Sequence, residues 1–221
     1  MTFLITGANR GIGFALTKEI LKKKHKVIAA VRNLKAKNLL QLEEENIDIM
    51  HLDISDYNSI VDFSAQLKCE VDILINNAGV LFKDSFPELK YEDFLNSFKV
   101  NTLGALFLTQ ELYKNKKLKK GGKIVNIDSI LGSISNTRTT PSYCYSISKA
   151  ALNMATKLLS NYFLKEDILV FSVHPGWVKT DMGGKNAPIT PEESAKNIIN
   201  LIENVKETGK FYDYTGKEIE W

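Results

Sequence analysis

Tyr145 and Lys149 are four residues apart in Tyr-Ser-Ile-Ser-Lys, inside a stretch with helical periodicity. In a helix that spacing puts a phenol and an ammonium on one face, about one turn from each other. A phenol with a pKa of about 10 is a poor acid or base at neutral pH, but a fixed cation beside it favours phenolate and lowers that value. The pair therefore reads as a device for moving a proton. Alone it would be ordinary on a helix surface; the setting makes it a candidate site. Ser129 closes the apolar run Val125-Asn126-Ile127-Asp128-Ser129, and Pro175-Gly176 closes Val173-His174-Pro175-Gly176. In a parallel α/β sheet, ligands bind at such carboxyl ends of strands.

A second constellation lies near the start. Thr6-Gly7-Ala8-Asn9-Arg10-Gly11-Ile12-Gly13 joins a short apolar strand to an amphipathic helix, the position at which an open α/β sheet takes up a dinucleotide. Gly7 suits a tight turn, Gly11 a close approach to pyrophosphate, and Gly13 close packing of helix on strand, while the helix N-terminus offers amide donors. The spacing is G-x-x-x-G-x-G, so it matches the commoner G-x-G-x-x-G only loosely. The second strand ends in Ala29-Ala30-Val31-Arg32-Asn33, with no carboxylate for a ribose 2′-hydroxyl. Arg32 and Arg10 suit a 2′-phosphate instead. NADP(H) is the preferred cofactor on this reading, with NAD(H) as the second that the site could take.

These residues need a scaffold, and the periodicities supply one. Strands are expected at Phe3–Thr6, Lys26–Val31, Ile47–Leu52, Val71–Asn76, Lys123–Asp128 and Leu169–His174, with a short one near Phe211. Most are unbroken apolar runs, as in strands buried on both faces. Helical patterns separate them; Ile12, Ala15, Leu16 and Ile20 share one face of the first. The fold class is α/β: a single-domain, Rossmann-type doubly wound sheet of about seven mainly parallel strands with helices on both faces. One domain over 1–221 is expected, with a cofactor half of about 1–125 and a catalytic and substrate half of about 126–221. Pro141 can open a long helix running to about Phe163. Ala151, Leu152, Ala155, Leu158, Leu159 and Tyr162 give it a wide apolar surface, one stripe for the sheet and another for a second copy, so a homodimer, or a tetramer, is expected. Gly183, Gly184, Asn186 and Pro188 mark a loop over the site.

Composition narrows the classes. Lys and Arg number 29 against 26 Asp and Glu, a net charge of +3, too small a field to point to nucleic acid or an anionic membrane. Lysines cluster at 22–24 and at Lys114, Lys116, Lys117, Lys119, Lys120 and Lys123, which read as helix ends. Cys69 and Cys144 make no CxxC pair, and His25, His51 and His174 are scattered. No metal site and no membrane span are expected, and the location is expected to be cytoplasmic.

The ordered set TGANRGIG at 6–13, Asp53-Ile54, Asn76-Asn77-Ala78-Gly79, Asn101, Ser129, Tyr145-x-x-x-Lys149 and Pro175-Gly176 resembles the short-chain dehydrogenase/reductase family over nearly the whole chain. IDSILGSIS, YSISKAALNMATK, HPGWVKTDMGG and GKFYDYTGKEIEW are similar to the sniffer-like and C-factor-like carbonyl reductases within it. The resemblance implies a tetrad of Asn101, Ser129, Tyr145 and Lys149. It implies Asp53 and Ile54 at the adenine, Asn77, Ala78 and Gly79 at the cofactor ribose, and Val178 and Thr180 beside the cofactor after Pro175-Gly176. Two departures stand out. Asp128 takes a position where many relatives have a second serine, and the interval from Ser129 to Tyr145 is longer than in many, which leaves Ser133 as the other candidate serine. Leu81, Leu131, Tyr143, Trp177 and Met182 are expected near the substrate, a small hydrophobic or aromatic carbonyl compound. The implied activity is reduction of an aldehyde, ketone or quinone to the alcohol, or the reverse. The alternative is a catalytically silent dinucleotide-binding signalling protein of C-factor type. A nucleotide-sugar epimerase shares the Tyr/Lys pair, but the stretch after Pro175 is expected to be too short for its sugar lobe.

Overall fold

The computed structural model describes residues 1–42, 46–138 and 142–221. Seven strands, β1 (Thr2–Thr6), β2 (Lys26–Val31), β3 (Ile47–His51), β4 (Val71–Asn76), β5 (Leu118–Ile127), β6 (Leu169–His174) and β7 (Phe211–Asp213), form one sheet. Their order is β3-β2-β1-β4-β5-β6-β7 and every pairing is parallel. The order reverses between β1 and β4, the switch point where such sheets open a crevice.

Alternation along the strands divides the core in two. Phe3 and Ile5 of β1 pack with Leu16 and Ile20 of α1 (Gly11–Lys22) and with Ile198, Ile199 and Ile202 of α7 (Pro191–Asn204). Leu4, on the other face, packs with Phe63 of α3 (Tyr57–Gln66), Leu108 of α5 (Gly104–Lys114) and Phe163 of α6 (Tyr143–Phe163). Two short helices, α2 (Lys37–Leu40) and α4 (Tyr91–Phe98), lie in the connections. Local chemistry sets several boundaries. Thr190 accepts the Glu193 N–H at 3.1 Å ahead of Pro191 at the start of α7.

The long helix α6 begins at Tyr143; Pro141, expected to open it, lies outside the described residues. A carboxylate from a distant loop caps it: Asp84 accepts the N–H of Tyr143 at 2.7 Å and of Cys144 at 2.8 Å. Further along, a buried polar rung ties α6 to the sheet, with Asn126 donating to Thr156 at 2.7 Å and Thr156 bonded to Ser172 at 2.9 Å. Of the second lysine cluster only the first members lie at a helix end, because β5 starts at Leu118, five residues before the expected start. Lys119 pairs with Asp72 at 2.7 Å, and Lys123 reaches the carbonyls of Ile202 and Val205, capping the C-terminus of α7 rather than of its own neighbour α5. A linear reading misses that role because the partner is about eighty residues away.

Candidate active site

A cleft of about 450 Å³ opens at the switch point. Its walls run from Arg32, Asp53 and Ile54 at one end, past Gly7, Asn9, Arg10, Gly11, Ile12 and Gly13, to Asn77, Ala78 and Gly79, and on to Tyr145, Lys149, Pro175, Thr180 and Met182 at the other. Residues from two widely separated motifs thus line one continuous space, whereas Asn101, Ser129, Gly176 and Val178 are not among its lining residues.

The turn at its centre is set by backbone. Gly7 has φ +66°, where a side chain strains the chain, and a Cβ on Gly13 would collide with the Gly7 carbonyl and the Asn77 amide. Asn77 donates to the Thr6 carbonyl at 2.8 Å, and the Thr6 hydroxyl accepts the N–H of Asn77 and of Ala78, each at 3.0 Å. Thr6 joins the turn through these bonds, and a polar side chain closing an apolar strand is the only sign of it in the sequence. The first turn of α1 has no acidic residue and no side-chain cap, so its amides face the cleft ready for an anion.

Arg10 and Arg32 are both exposed. Arg10 meets Asp181 at 3.2 Å in a pair so exposed that it is worth little, and its guanidinium remains available to a phosphate. Asp53 turns inward: its carboxylate accepts the N–H of Ser55 at 3.0 Å and the hydroxyl at 2.6 Å. Burial pushes its pKa up, but these two bonds outweigh it and hold the carboxyl below the usual range.

Asn101 lies in a π-helical turn, Lys99–Leu103, between α4 and α5. Its amide is fully engaged, accepting the Val80 N–H at 2.8 Å and donating to the Val80 carbonyl at 2.9 Å and the Ser148 hydroxyl at 3.0 Å. Thr102 adds a bond to the Ser148 carbonyl at 2.7 Å. The expected tetrad member is therefore a brace between this turn and α6 in the first instance.

Tyr145 and Lys149 are both buried on the inner face of α6, with the ammonium 5.8 Å from the phenol ring centre. Lys149 donates to the Ile127 carbonyl at 2.7 Å. Ser129 is at the end of β5, buried, its hydroxyl accepting the Leu131 N–H at 3.2 Å. Ser133 is turned away, donating to the Glu220 carbonyl at 2.6 Å, so Ser129 is the serine that shares the phenol's environment. One expectation fails. The phenol is pushed well above its ordinary pKa, first by burial and then by the charge of Asp128, with Ser129 countering in part. Lys149 does not dominate because its own charged form is disfavoured by burial and answered by Asp128. Asp128 in turn is pushed up to about 7 by burial, against the pull of Lys149 and the Ser129 N–H. A spacing argument sees the cation in the helix but not the anion at the strand end.

Of the substrate candidates, Met182 lines the cleft. Leu131 and Tyr143 line a separate, mostly apolar pocket of about 230 Å³ between α6 and the loop after β5. Trp177 is exposed, its indole N–H donating to the Gly183 carbonyl at 2.7 Å. Leu81 is half-buried between β4 and α4. Val178 is buried, in a bridge to Ile189, and Gly176 has φ +85°. Among the described residues no group of three His, Cys, Asp or Glu could hold a metal, and no helix is long and apolar enough to cross a membrane.

The sequence model for short chain dehydrogenases matches residues 1–189. Among curated proteins, C-signal of Myxococcus xanthus is 34% identical over 154 aligned positions, covering 68% of this chain and 93% of that protein. An uncharacterized oxidoreductase of Saccharomyces cerevisiae is 34% identical, covering 99% and 96%. Among solved structures, the carbonyl reductase Sniffer of D. melanogaster superposes with a TM-score of 0.93 at 31% identity, covering 100% of this chain and 99% of that one. An NADPH-bound carbonyl reductase from chicken fatty liver gives 0.94 at 31%, covering 100% and 98%.

Proposed function

The chain belongs to the short-chain dehydrogenase family, and on that premise we propose that it is an NADP(H)-dependent carbonyl reductase with Tyr145 as the acid. The observation that carries this reading is the convergence, in one cleft, of a glycine-rich turn with no acidic group at the end of β2 and a buried phenol–ammonium pair beside Ser129. The bare first turn of α1 and the backbone approach that Gly13 permits fit a pyrophosphate. Arg32 and Arg10 would take the 2′-phosphate, Asp53 and Ile54 the adenine, Asn77 to Gly79 and Lys149 the riboses, and Pro175, Gly176, Val178 and Thr180 the nicotinamide end. The bound dinucleotide supplies or accepts the hydride.

In reduction, the Ser129 and Tyr145 hydroxyls donate to the substrate oxygen. The phenol proton passes to that oxygen as the carbonyl carbon becomes sp³, leaving a phenolate that Lys149 supports until solvent returns the proton. A raised phenol pKa does not oppose this step, since an alkoxide is a much stronger base than phenolate. Asn101 holds the segments together and can keep a water near Lys149. Met182 touches the substrate, a small apolar or aromatic carbonyl compound; Leu131 and Tyr143 do so only if the loop after β5 moves.

We infer one domain over 1–221 and a homodimer. Leu152 and Ala155 are buried, whereas Ile147, Met154, Leu158 and Tyr162 form an exposed apolar stripe on α6. Light scattering at micromolar concentration is expected to give a dimer mass; a monomer would contradict it. The kinship with C-signal supports a second reading, a dinucleotide-binding signalling protein that turns nothing over. Titration with NADPH and NADH, then NADPH oxidation against a panel of aldehydes, ketones and quinones, separates the two. Tight NADPH binding with turnover supports the reductase, and binding with silence across the panel supports the second reading.

A further inference from the structure

Asp128 is a carboxylate at the end of β5, 2% exposed and lining the cleft. One oxygen, Oδ1, accepts the Ser129 N–H at 2.7 Å. The other, Oδ2, is buried with no hydrogen-bond partner among the described residues. A bare carboxylate oxygen out of water is costly unless a charge nearby answers it. The groups that face it are few. From α6 come the Lys149 ammonium and the Tyr145 phenol, both buried. From β6, Val173 accepts the Asp128 N–H at 2.8 Å, and the next residue, His174, is held neutral by burial with Asp213 as its charge neighbour. β4, the other neighbour of β5, carries only uncharged residues at its carboxyl end, Asn76 followed by Asn77 and Ala78, and Ser129 follows Asp128 in the chain.

Lys149 and Tyr145 thus share a single anion. We propose that Asp128 is a positioning residue whose free oxygen balances the Lys149 ammonium and opposes loss of the Tyr145 proton, so that the phenol stays loaded for carbonyl reduction. Once ionised, the carboxylate makes a second negative charge close by unfavourable, which is what phenolate would be. It also favours the charged form of Lys149 against the burial that disfavours it. The inference deepens the reductase reading and rests on it for its kinetic consequences, not for its electrostatic ones.

Asp128→Asn keeps the shape and retains an oxygen to accept the Ser129 N–H; Asp128→Ser gives a second variant if the amide fails to fold. In ligand-free protein with ring-labelled tyrosine, carbon NMR follows the Tyr145 titration, assigned by its disappearance in Tyr145→Phe. Both Asp128 variants are expected to bring the Tyr145 midpoint down by about 1 to 3 pH units. A Tyr145 signal that stays protonated to the same alkaline limit as in the parent protein overturns the proposal. In the kinetic arm, the alkaline limb of kcat/KM for reduction should move to lower pH by a similar interval, and alcohol oxidation should set in at lower pH. A moved NMR titration supports the proposal even where no carbonyl turns over, which would instead count against the reductase reading. A lower rate with an unmoved profile would mean that Asp128 is merely structural.

Discussion

The two halves of the cleft are made by different means. On the side of β1, β2 and α1 the site is backbone: a turn at positive φ, a glycine pressed on a carbonyl, amides at a helix end, and two arginines left in solvent. On the side of β5, β6 and α6 it is side chains taken out of water: Asp128, Tyr145 and Lys149 are all buried, Asp128 alters the proton affinity of both others, and Lys149 alters that of Asp128. A dinucleotide brings its own charge and needs a complementary surface, whereas a proton transfer needs groups whose affinity for the proton has been adjusted. Substitutions in the catalytic half should therefore change rate with little loss of fold or cofactor binding, and substitutions in the cofactor half should do the reverse.

The sharpest test is Tyr145→Phe. It removes only the hydroxyl, keeps the ring packing of α6, and should lower kcat by about 10² to 10⁴, the share of a positioned acid. NADPH affinity by fluorescence titration should remain within a few-fold. Undiminished turnover would remove the phenol from the mechanism; lost binding would show that the halves are not separable.

The second test concerns His174, the residue before Pro175, whose Nδ1 is buried with no hydrogen-bond partner among the described residues. Burial pulls its pKa down to about 4 from an ordinary 6.5, against the attraction of Asp213. Because the unfolded chain binds this proton more readily, the native state is penalised as pH falls from about 6.5 towards 4, and the full penalty approaches about 3 kcal/mol. Urea unfolding at several pH values should show the loss, and His174→Gln should flatten it. A stability curve unchanged by the variant would place the acid sensitivity elsewhere.

In the cofactor half, Gly13→Ala forces a methyl against the Gly7 carbonyl and the Asn77 amide. The expected cost is about 1 to 3 kcal/mol by denaturant titration, with weaker NADPH binding, because the turn must shift where the pyrophosphate would lie. Normal stability with normal affinity would mean that the turn is looser than its packing implies.

This contrast also explains what could be read from residue order. The strands, the seven-fold parallel sheet and the glycine turn were legible because each is a local periodicity or a local dihedral requirement, as in Phe3–Thr6 and Gly7–Gly13. Tyr145 and Lys149 were legible because the helix that spaces them is one local element. What was not legible came from meetings across the chain. The anion that answers Lys149 lies twenty-one residues before it, and seventeen before Tyr145, at the end of β5, so a helix-based argument sees only the cation and expects a lowered phenol pKa where burial and Asp128 raise it. Leu131 and Tyr143 are expected near the substrate with Met182, although the turn after Ser129 carries them to a separate pocket. Lys123 looked like the end of one helix and serves another.

Asp84 is the residue that could break the division, because it leaves the cofactor side and caps the catalytic helix. Burial raises its pKa, but the N–H groups of Cys144 and Tyr143 and the Ser142 hydroxyl hold it below the usual carboxylate range. Its stabilising contribution is therefore present above the ordinary pKa of about 4 and lost as pH falls through the lowered value. Among the described residues no other side chain caps α6, and its first turn carries Tyr145. Asp84→Ala should cost about 1 kcal/mol of stability, the usual worth of an N-cap, and should lower kcat more than it weakens NADPH binding, since the phenol sits one turn from the freed end. Asp84→Asn, which keeps one acceptor oxygen, should recover part of both. Equal losses in kcat and in cofactor affinity would show that the loop from Phe82 to Asp84 couples the two halves, and the separation drawn from their construction would not extend to their behaviour.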